Sequence, residues 1–429
     1  MIHPVNLALL GFLPFFGSGE PPRGQPVAWD GAKIFDLPTQ EDPAVTAIIG
    51  DYLDRLAALG YARERQGIWM QSEWAYLAQH QENRAAPAAS LTKIATSLAV
   101  LDHWGLEHRF TTGVYGRGTL QNGVLTGDLI IQGGFDPLFV WEEAIALGNA
   151  LNQLGIREIT GDLILVGPLA MNFQREPTVV GALLKQALDE SQWSPLITEA
   201  HAQLPPGTPR PQVKISGAVQ SLARVPDGAQ FLIARQSPTL AQLVKQMNIY
   251  SNNDMAEILG ASLGPPAVVA QNASRLAQIP AGEIQLENAS GLGVDNRLSP
   301  RAVTRLYQAL AQKIAPAGMT LGDILPVMGR NRKGTLEWRG MPKGLAVKTG
   351  TLNQVSALAG IIPTRERGVV WFTVINGGPN FDRLRAEQDK LLQRLAQHWQ
   401  VLPEELTPGP TDTVQLGDPA RTVLTPPQS

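Results

Sequence analysis

The chain of 429 residues contains no cysteine, which excludes both disulfide bonds and a thiol nucleophile. Its six histidines, His3, His80, His103, His108, His201 and His398, are scattered, and no HxxxH or CxxC spacing marks a metal site. No metal and no other cofactor is called for. Charge of one sign is also missing. Thirty-five basic residues face 38 acidic ones for a formal net charge of -3, and no long basic run is present to follow a phosphate backbone, so nucleic-acid binding has little support. No apolar run reaches the roughly 18 to 20 residues that a membrane-spanning helix needs. The lack of cysteine suits the cytosol or an export route without oxidative folding, and does not choose between them.

What is there describes an ordinary globular protein, 44% hydrophobic and 17% charged, long enough for two or three domains. Residues 5–16 are apolar and lead into Gly17-Ser18-Gly19-Glu20, so residues 1–20 read as a signal peptide. Against that reading, no Lys or Arg precedes the apolar stretch and Pro14 interrupts it. Residues 42–60 carry Val45, Ile48, Ile49, Tyr52, Leu56 and Leu59 at helical intervals, with Asp42-Pro43 to start and Gly60 to stop. Two short strands, 67–70 and 74–77, follow. Residues 90–105 read as a helix, and from 106 to 239 the texture turns to glycine-rich, hairpin-like pieces with a helical stretch at 176–202. The phrases LTGDLII and ITGDLIL inside it suggest two strands that begin with the same turn chemistry.

Helical spacing returns over 239–261, three apolar strands span 345–375, and a helix over 383–399 should pack on them. Beyond 401, proline, threonine, glycine and aspartate dominate without an apolar pattern, so 401–429 reads as a flexible tail.

Against this background stand SLTK at 90–93, YSNN at 250–253 and KTGT at 348–351. Ser90 and Lys93 lie three residues apart on a predicted helix and so share a face. A serine hydroxyl is too weakly ionised at neutral pH to attack an amide unaided and needs a base within about 3 Å. Lys93 is the nearest candidate in sequence, and the second cation, Lys348, would depress its pKa by like-charge repulsion. Ser251 offers a hydroxyl to relay a proton between Lys93 and a leaving amine, and Asn253 an amide to hold Lys93 or the substrate. Thr349, Gly350 and Thr351 sit at a strand edge, where glycine permits close approach and the hydroxyls beside Lys348 can receive a carboxylate. Each motif alone has an ordinary structural explanation: a helix cap, a turn, a solvated strand lysine. Together they supply a nucleophile, two proton carriers, an amide and a carboxylate receptor.

The three motifs in this order, with 160 residues between Ser90 and Ser251, resemble the serine D-alanyl-D-alanine carboxypeptidases and penicillin-binding proteins, in particular the class C low-molecular-mass, DacB-like members of peptidase family S13. The longer phrases LTGDLIIQGGFDP, GIREITGDLIL, NASGLGVDNRLSP and LPVMGRNRKGTL extend the likeness over 42–399. The resemblance implies an α/β (α+β) fold: a beta-lactamase/transpeptidase-like antiparallel sheet flanked by helices. It further implies a discontinuous catalytic domain over 42–105 and 240–400, with a large strand-containing insertion at 106–239.

By the same resemblance Ser90 is the acylated nucleophile, Lys93 the base, and Ser251 with Asn253 the second motif. Lys348, Thr349 and Thr351 would recognise the D-alanine carboxylate, and the N–H groups of Ser90 and Thr351 would form the oxyanion hole. The implied partners are peptidoglycan stem peptides ending in D-Ala-D-Ala, with beta-lactams as covalent inhibitors, no nucleic acid and no obligate protein partner. The implied location is the periplasm or cell envelope. A beta-lactamase or related serine esterase, and a noncatalytic wall-binding protein, remain the alternatives. Ser290 fits a turn as well as a site, and Trp338 reads as a packing residue.

Overall fold

A computed structural model describes residues 42–331, 333–402 and 408–425. The signal-peptide reading of residues 1–20 lies outside the described residues. Helix α1 (Pro43–Ala58) opens the described chain, followed by strands β1 (Gln66–Gln71) and β2 (Tyr76–His80), the short β3 (Ala86–Pro87) and helix α2 (Thr92–Trp104). The middle runs β4 (Thr111–Gln121), β5 (Val124–Gln132), α3 (Trp141–Gln153), β6 (Glu158–Ile159), β7 (Leu163–Val166), α4 (Pro177–Leu188), α5 (Pro195–Ala202), β8 (Lys214–Ile215), β9 (Val219–Leu222) and β10 (Gln230–Gln236). Helices α6 (Leu240–Tyr250), α7 (Asn253–Ala261) and α8 (Pro266–Ala277) come next, then β11 (Ile284–Gln285), β12 (Arg297–Leu298) and α9 (Pro300–Ile314). The last part holds β13 (Ala346–Leu352), β14 (Val355–Thr364), β15 (Gly368–Gly377), α10 (Phe381–Trp399) and β16 (Thr422–Leu424).

The first sheet has the order β13-β14-β15-β1-β2, antiparallel throughout, so strands from the two ends of the chain are hydrogen-bonded neighbours. Its two faces are separated by the period-2 alternation of a strand. On β14, Ala357, Ala359 and Ile361 enter a core with α2 and α9, whereas Leu358 and Ile362 enter a second core with Tyr52 of α1 and Leu391, Leu395 and Trp399 of α10. Small side chains on the first face let α2 come close. That helix is buried at every position from Thr92 to Leu101, so its lysine is buried as well. Helix α1 starts where expected because the Asp42 carboxylate accepts the N–H groups of Ala44 and Val45.

The second sheet runs β16-β10-β4-β5-β6-β8, with β7 on β5 and β9 on β7. The phrase LTGDLII lies in β5, and ITGDLIL runs from the end of β6 into β7, the parallel neighbour of β5. Asp128 accepts the N–H of Asp162 at 2.8 Å, and Asp162 accepts the N–H of Ala218 at 2.7 Å, so one carboxylate after another staples the start of the next strand. The stretch 176–202 contains helices α4 and α5. A small third sheet orders β11-β12-β3. No described helix is long and apolar enough to cross a membrane.

The expectation of a flexible tail is corrected over residues 408–425. Strand β16 pairs antiparallel with β10, and the segment before it is held by charge rather than by an apolar stripe. Glu143, fully buried, accepts from Arg235 at 2.5 Å and from Arg421 at 2.6 Å, and also takes the N–H of Gly417 at 2.9 Å. Asp412 takes Asn331 at 2.8 Å and pairs with Lys245 at 3.1 Å. Composition hid this because the docking rests on a few buried ions. Arg421→Ala is expected to lower the unfolding free energy by about 2 kcal/mol, the scale of buried hydrogen bonds to a charged group. The check is the urea midpoint, and an unchanged midpoint would mean that the docked tail adds no stability.

Candidate active site

Ser90 lies in a single 3-10 turn, Ala89–Leu91, that leads into α2, rather than in the helix proper. Ala89 has φ 49°, a left-handed conformation that non-glycine residues avoid. Two glycines make room for this turn. A Cβ on Gly350 would stand 2.8 Å from the Ala88 carbonyl oxygen and 3.1 Å from the Ser90 nitrogen. One on Gly291, at φ +82°, would stand 2.0 Å from the Ala89 oxygen. Strand β13 and the loop after β11 thus press directly on the backbone of the nucleophile candidate.

Lys93 is fully buried. Its Nζ lies 3.0 Å from Ser90 Oγ, 2.7 Å from Asn253 Oδ1 and 2.7 Å from the Ser290 carbonyl oxygen. Burial lowers its pKa to about 7, and the Glu257 carboxylate acts in the opposite sense. A neutral amine has two hydrogens and one lone pair. Asn253 and Ser290 offer two acceptors for the hydrogens, which leaves the lone pair for the Ser90 hydroxyl.

The YSNN segment works as a break between two helices. Ser251 ends α6 in the left-handed conformation at φ 52°, and Asn252 caps α7 by accepting the Met255 N–H at 2.9 Å. Asn253 is then the first residue of α7. The turn sends the side chains of Ser251 and Asn253 to different lysines. Asn253 holds Lys93, whereas Ser251 Oγ accepts from Lys348 Nζ at 2.9 Å.

Lys348 is also buried, and its second contact is the Thr349 carbonyl oxygen at 2.7 Å. Burial first and the neighbouring Lys93 second hold it well below the usual lysine range. Burial is thus the leading cause for both lysines, and repulsion between the two amines adds to it. Thr351, partly exposed on β13, accepts from Arg385 Nη2 at 2.7 Å.

All eight candidate residues thus meet where α2, the α6–α7 break and β13 converge. Two contributors, Glu257 and Arg385, went unread in the sequence, and a third, Ser290, was left between a turn and a site. Glu257 lies one helical turn beyond Asn253 and accepts the N–H groups of Ser290 at 2.9 Å and Ala289 at 3.3 Å, fixing the loop whose carbonyl holds Lys93. The i, i+4 spacing from Asn253 is a signal that could have found it. Ser290 joins through its backbone, while its hydroxyl bonds Asn288 Oδ1 at 3.2 Å. Arg385, on α10, carries no local signal. Trp338, expected to pack, is 88% exposed.

Comparison with known proteins gives the family and the fold. Residues 62–177 and 210–398 match the model of the D-Ala-D-Ala carboxypeptidase 3 (S13) family. Carboxypeptidase Rv3627c of Mycobacterium tuberculosis is 34% identical over 183 residues, 38% of this chain and 39% of that protein. The D-alanyl-D-alanine carboxypeptidase of Actinomadura sp. R39 is 31% identical over 195 residues, 40% of this chain and 34% of that protein. The matched stretch therefore spans little more than a third of the length of these curated relatives.

Among solved structures, penicillin-binding protein 4 (dacB) of Haemophilus influenzae aligns with a TM-score of 0.63 at 18% identity, over 81% of this chain and 98% of its own. Bd3459, a peptidoglycan endopeptidase of Bdellovibrio bacteriovorus, aligns with a TM-score of 0.64 at 21% identity, over 78% and 92%. These likenesses establish the fold, a beta-lactamase/transpeptidase-like sheet flanked by helices. With the family match covering most of its length, the chain belongs to the D-Ala-D-Ala carboxypeptidase 3 (S13) family.

Proposed function

We propose that the chain is a serine-type D-Ala-D-Ala carboxypeptidase that acts on peptidoglycan stem peptides through an ester on Ser90. The observation that carries this reading is the buried Lys93 amine, 3.0 Å from Ser90 Oγ and with acceptors for both of its remaining hydrogens. Neutral Lys93 takes the Ser90 proton as Oγ bonds to the carbonyl carbon of the penultimate D-alanine. The N–H groups of Ser90 and Thr351 receive the oxyanion, a role supported by the close approach of Gly350 to the Ser90 nitrogen. As the C–N bond breaks, Ser251 passes its proton to the leaving amine and is reprotonated by the proton that Lys93 took from Ser90, relayed through the adjoining Lys348. Water then hydrolyses the ester and frees the serine.

Thr349, Gly350 and Thr351 line the position of the terminal D-alanine. Beta-lactams present a comparable acyl group and are expected to acylate Ser90 covalently. Cleavage of cross-links between stem peptides would use the same steps with a different leaving amine. The catalytic unit in this reading is built from 42–105 and 240–400 around the insertion at 106–239. Its substrate places the protein in the periplasm or cell envelope.

Purified protein incubated with a D-Ala-D-Ala-terminated stem peptide is expected to release D-alanine, as followed by mass spectrometry. Ser90→Ala should abolish both release and labelling by a fluorescent penicillin with its fold unchanged. Rapid turnover of the lactam without D-alanine release would favour a beta-lactamase, and ligand binding without acylation a noncatalytic wall protein. Because the neutral amine is the competent form, the acylation rate should fall about tenfold per pH unit below a midpoint near 7 and level off above it. Glu257 raises the Lys93 pKa, so Glu257→Gln should move that midpoint to lower pH. A midpoint that stays put or rises would remove Glu257 from the electrostatics of the site.

A further inference from the structure

We propose that Arg385, on α10 and outside all three motifs, is the cation that receives the terminal carboxylate of the substrate together with Thr351. This rests on the carboxypeptidase reading above. An enzyme that trims a chain end has to recognise what a chain interior lacks, and the difference is a carboxylate. Lys348 is poorly placed to supply the opposing charge. Its Nζ is buried and already donates to Ser251 Oγ at 2.9 Å and to the Thr349 carbonyl at 2.7 Å. Burial and the neighbouring Lys93 also disfavour its protonated form. Thr349 and Thr351 bring hydroxyls and no charge.

Arg385 has what is missing. Its Nη2 donates to Thr351 Oγ1 at 2.7 Å, so the guanidinium adjoins the hydroxyl assigned to the substrate. The guanidinium also lies 4.7 Å over the Phe381 ring, and Nη1 contacts Asp382 Oδ1 at 3.1 Å. The ring and the carboxylate hold its plane, while 35% of the side chain remains open to solvent. Arginine stays protonated throughout the working pH range and presents a fork of donors matched to a carboxylate. Since Thr351 Oγ1 accepts from Arg385, its own O–H is free to donate. A carboxylate at this place would take one bond from that hydroxyl and another from the guanidinium. Its charge would be met at the partly exposed lip of the cleft, leaving the buried lysines to proton transfer.

A bracing role, in which Arg385 only holds the Thr351 rotamer, makes a different prediction, because it would act on charged and neutral ligands alike. The test uses the Ser90→Ala protein and calorimetric binding of one D-Ala-D-Ala-terminated peptide as its free acid and as its C-terminal amide. Arg385→Gln is expected to weaken free-acid binding about tenfold, the scale of one hydrogen bond between charged groups, and to leave the amide unchanged. Arg385→Lys should recover part of the loss. With Ser90 intact, the same substitution should raise KM for the acid more than it lowers kcat.

Equal weakening of acid and amide, or no change in either, would overturn the proposal. So would an otherwise unsubstituted Ser90→Ala protein that binds acid and amide equally. Arg385-dependent preference for the acid, in a protein that releases no D-alanine when Ser90 is present, would support the carboxylate site and sink the peptidase reading instead.

Discussion

The site depends on one amine kept out of water. The Lys93 pKa is lowered because α2, a helix buried from Thr92 to Leu101, carries the amine into the interior, against the opposing pull of the Glu257 carboxylate. Desolvation of that kind is costly and has to be matched by hydrogen bonds. Asn253 and the Ser290 carbonyl provide them from two other elements. The small residues Ala357 and Ala359 on the facing strand, the helix break at Ser251 and the tight passage at Gly291 all follow from bringing three segments to one nitrogen.

Much of this was legible in the residues. The spacing of Ser90 and Lys93 placed both on one face, the composition of YSNN announced a turn, and the apolar strands around Lys348 announced a sheet edge. The helices and strands of the first sheet also came through, because alternation and capping are local signals. Pairings were less legible. Nothing near Ser251 says that it contacts Lys348 and not Lys93, since that choice is made by the left-handed turn and by where β13 arrives. Nothing near Arg385 points to Thr351, 34 positions earlier in the chain. The docked segment at 408–425 was misread for a related reason: buried ion pairs at Glu143 and Asp412 leave no periodic trace.

The second sheet shows the opposite situation, a long-range arrangement written in a repeated phrase. Gly-Asp-Leu occurs within β5 and at the entry to β7, its two leucines paired in register, and each aspartate bonds the backbone that leads into the next parallel strand. The parallel register is therefore pinned strand by strand by carboxylates near one end of the sheet, with the apolar residues Leu129, Ile131, Leu163 and Leu165 left to fill the core.

Strand order has a consequence for how the molecule comes into being. The first sheet seats β1, from residues 66–71, against β15, from residues 368–377, and the second closes its edge on β10 with residues 422–424. Contacts between such distant positions cannot form while the chain is still emerging from a ribosome or a translocation channel. The first sheet stays unfinished until residue 377 is delivered and the second until residue 424, so the cleft, which needs β13 beside α2, assembles late.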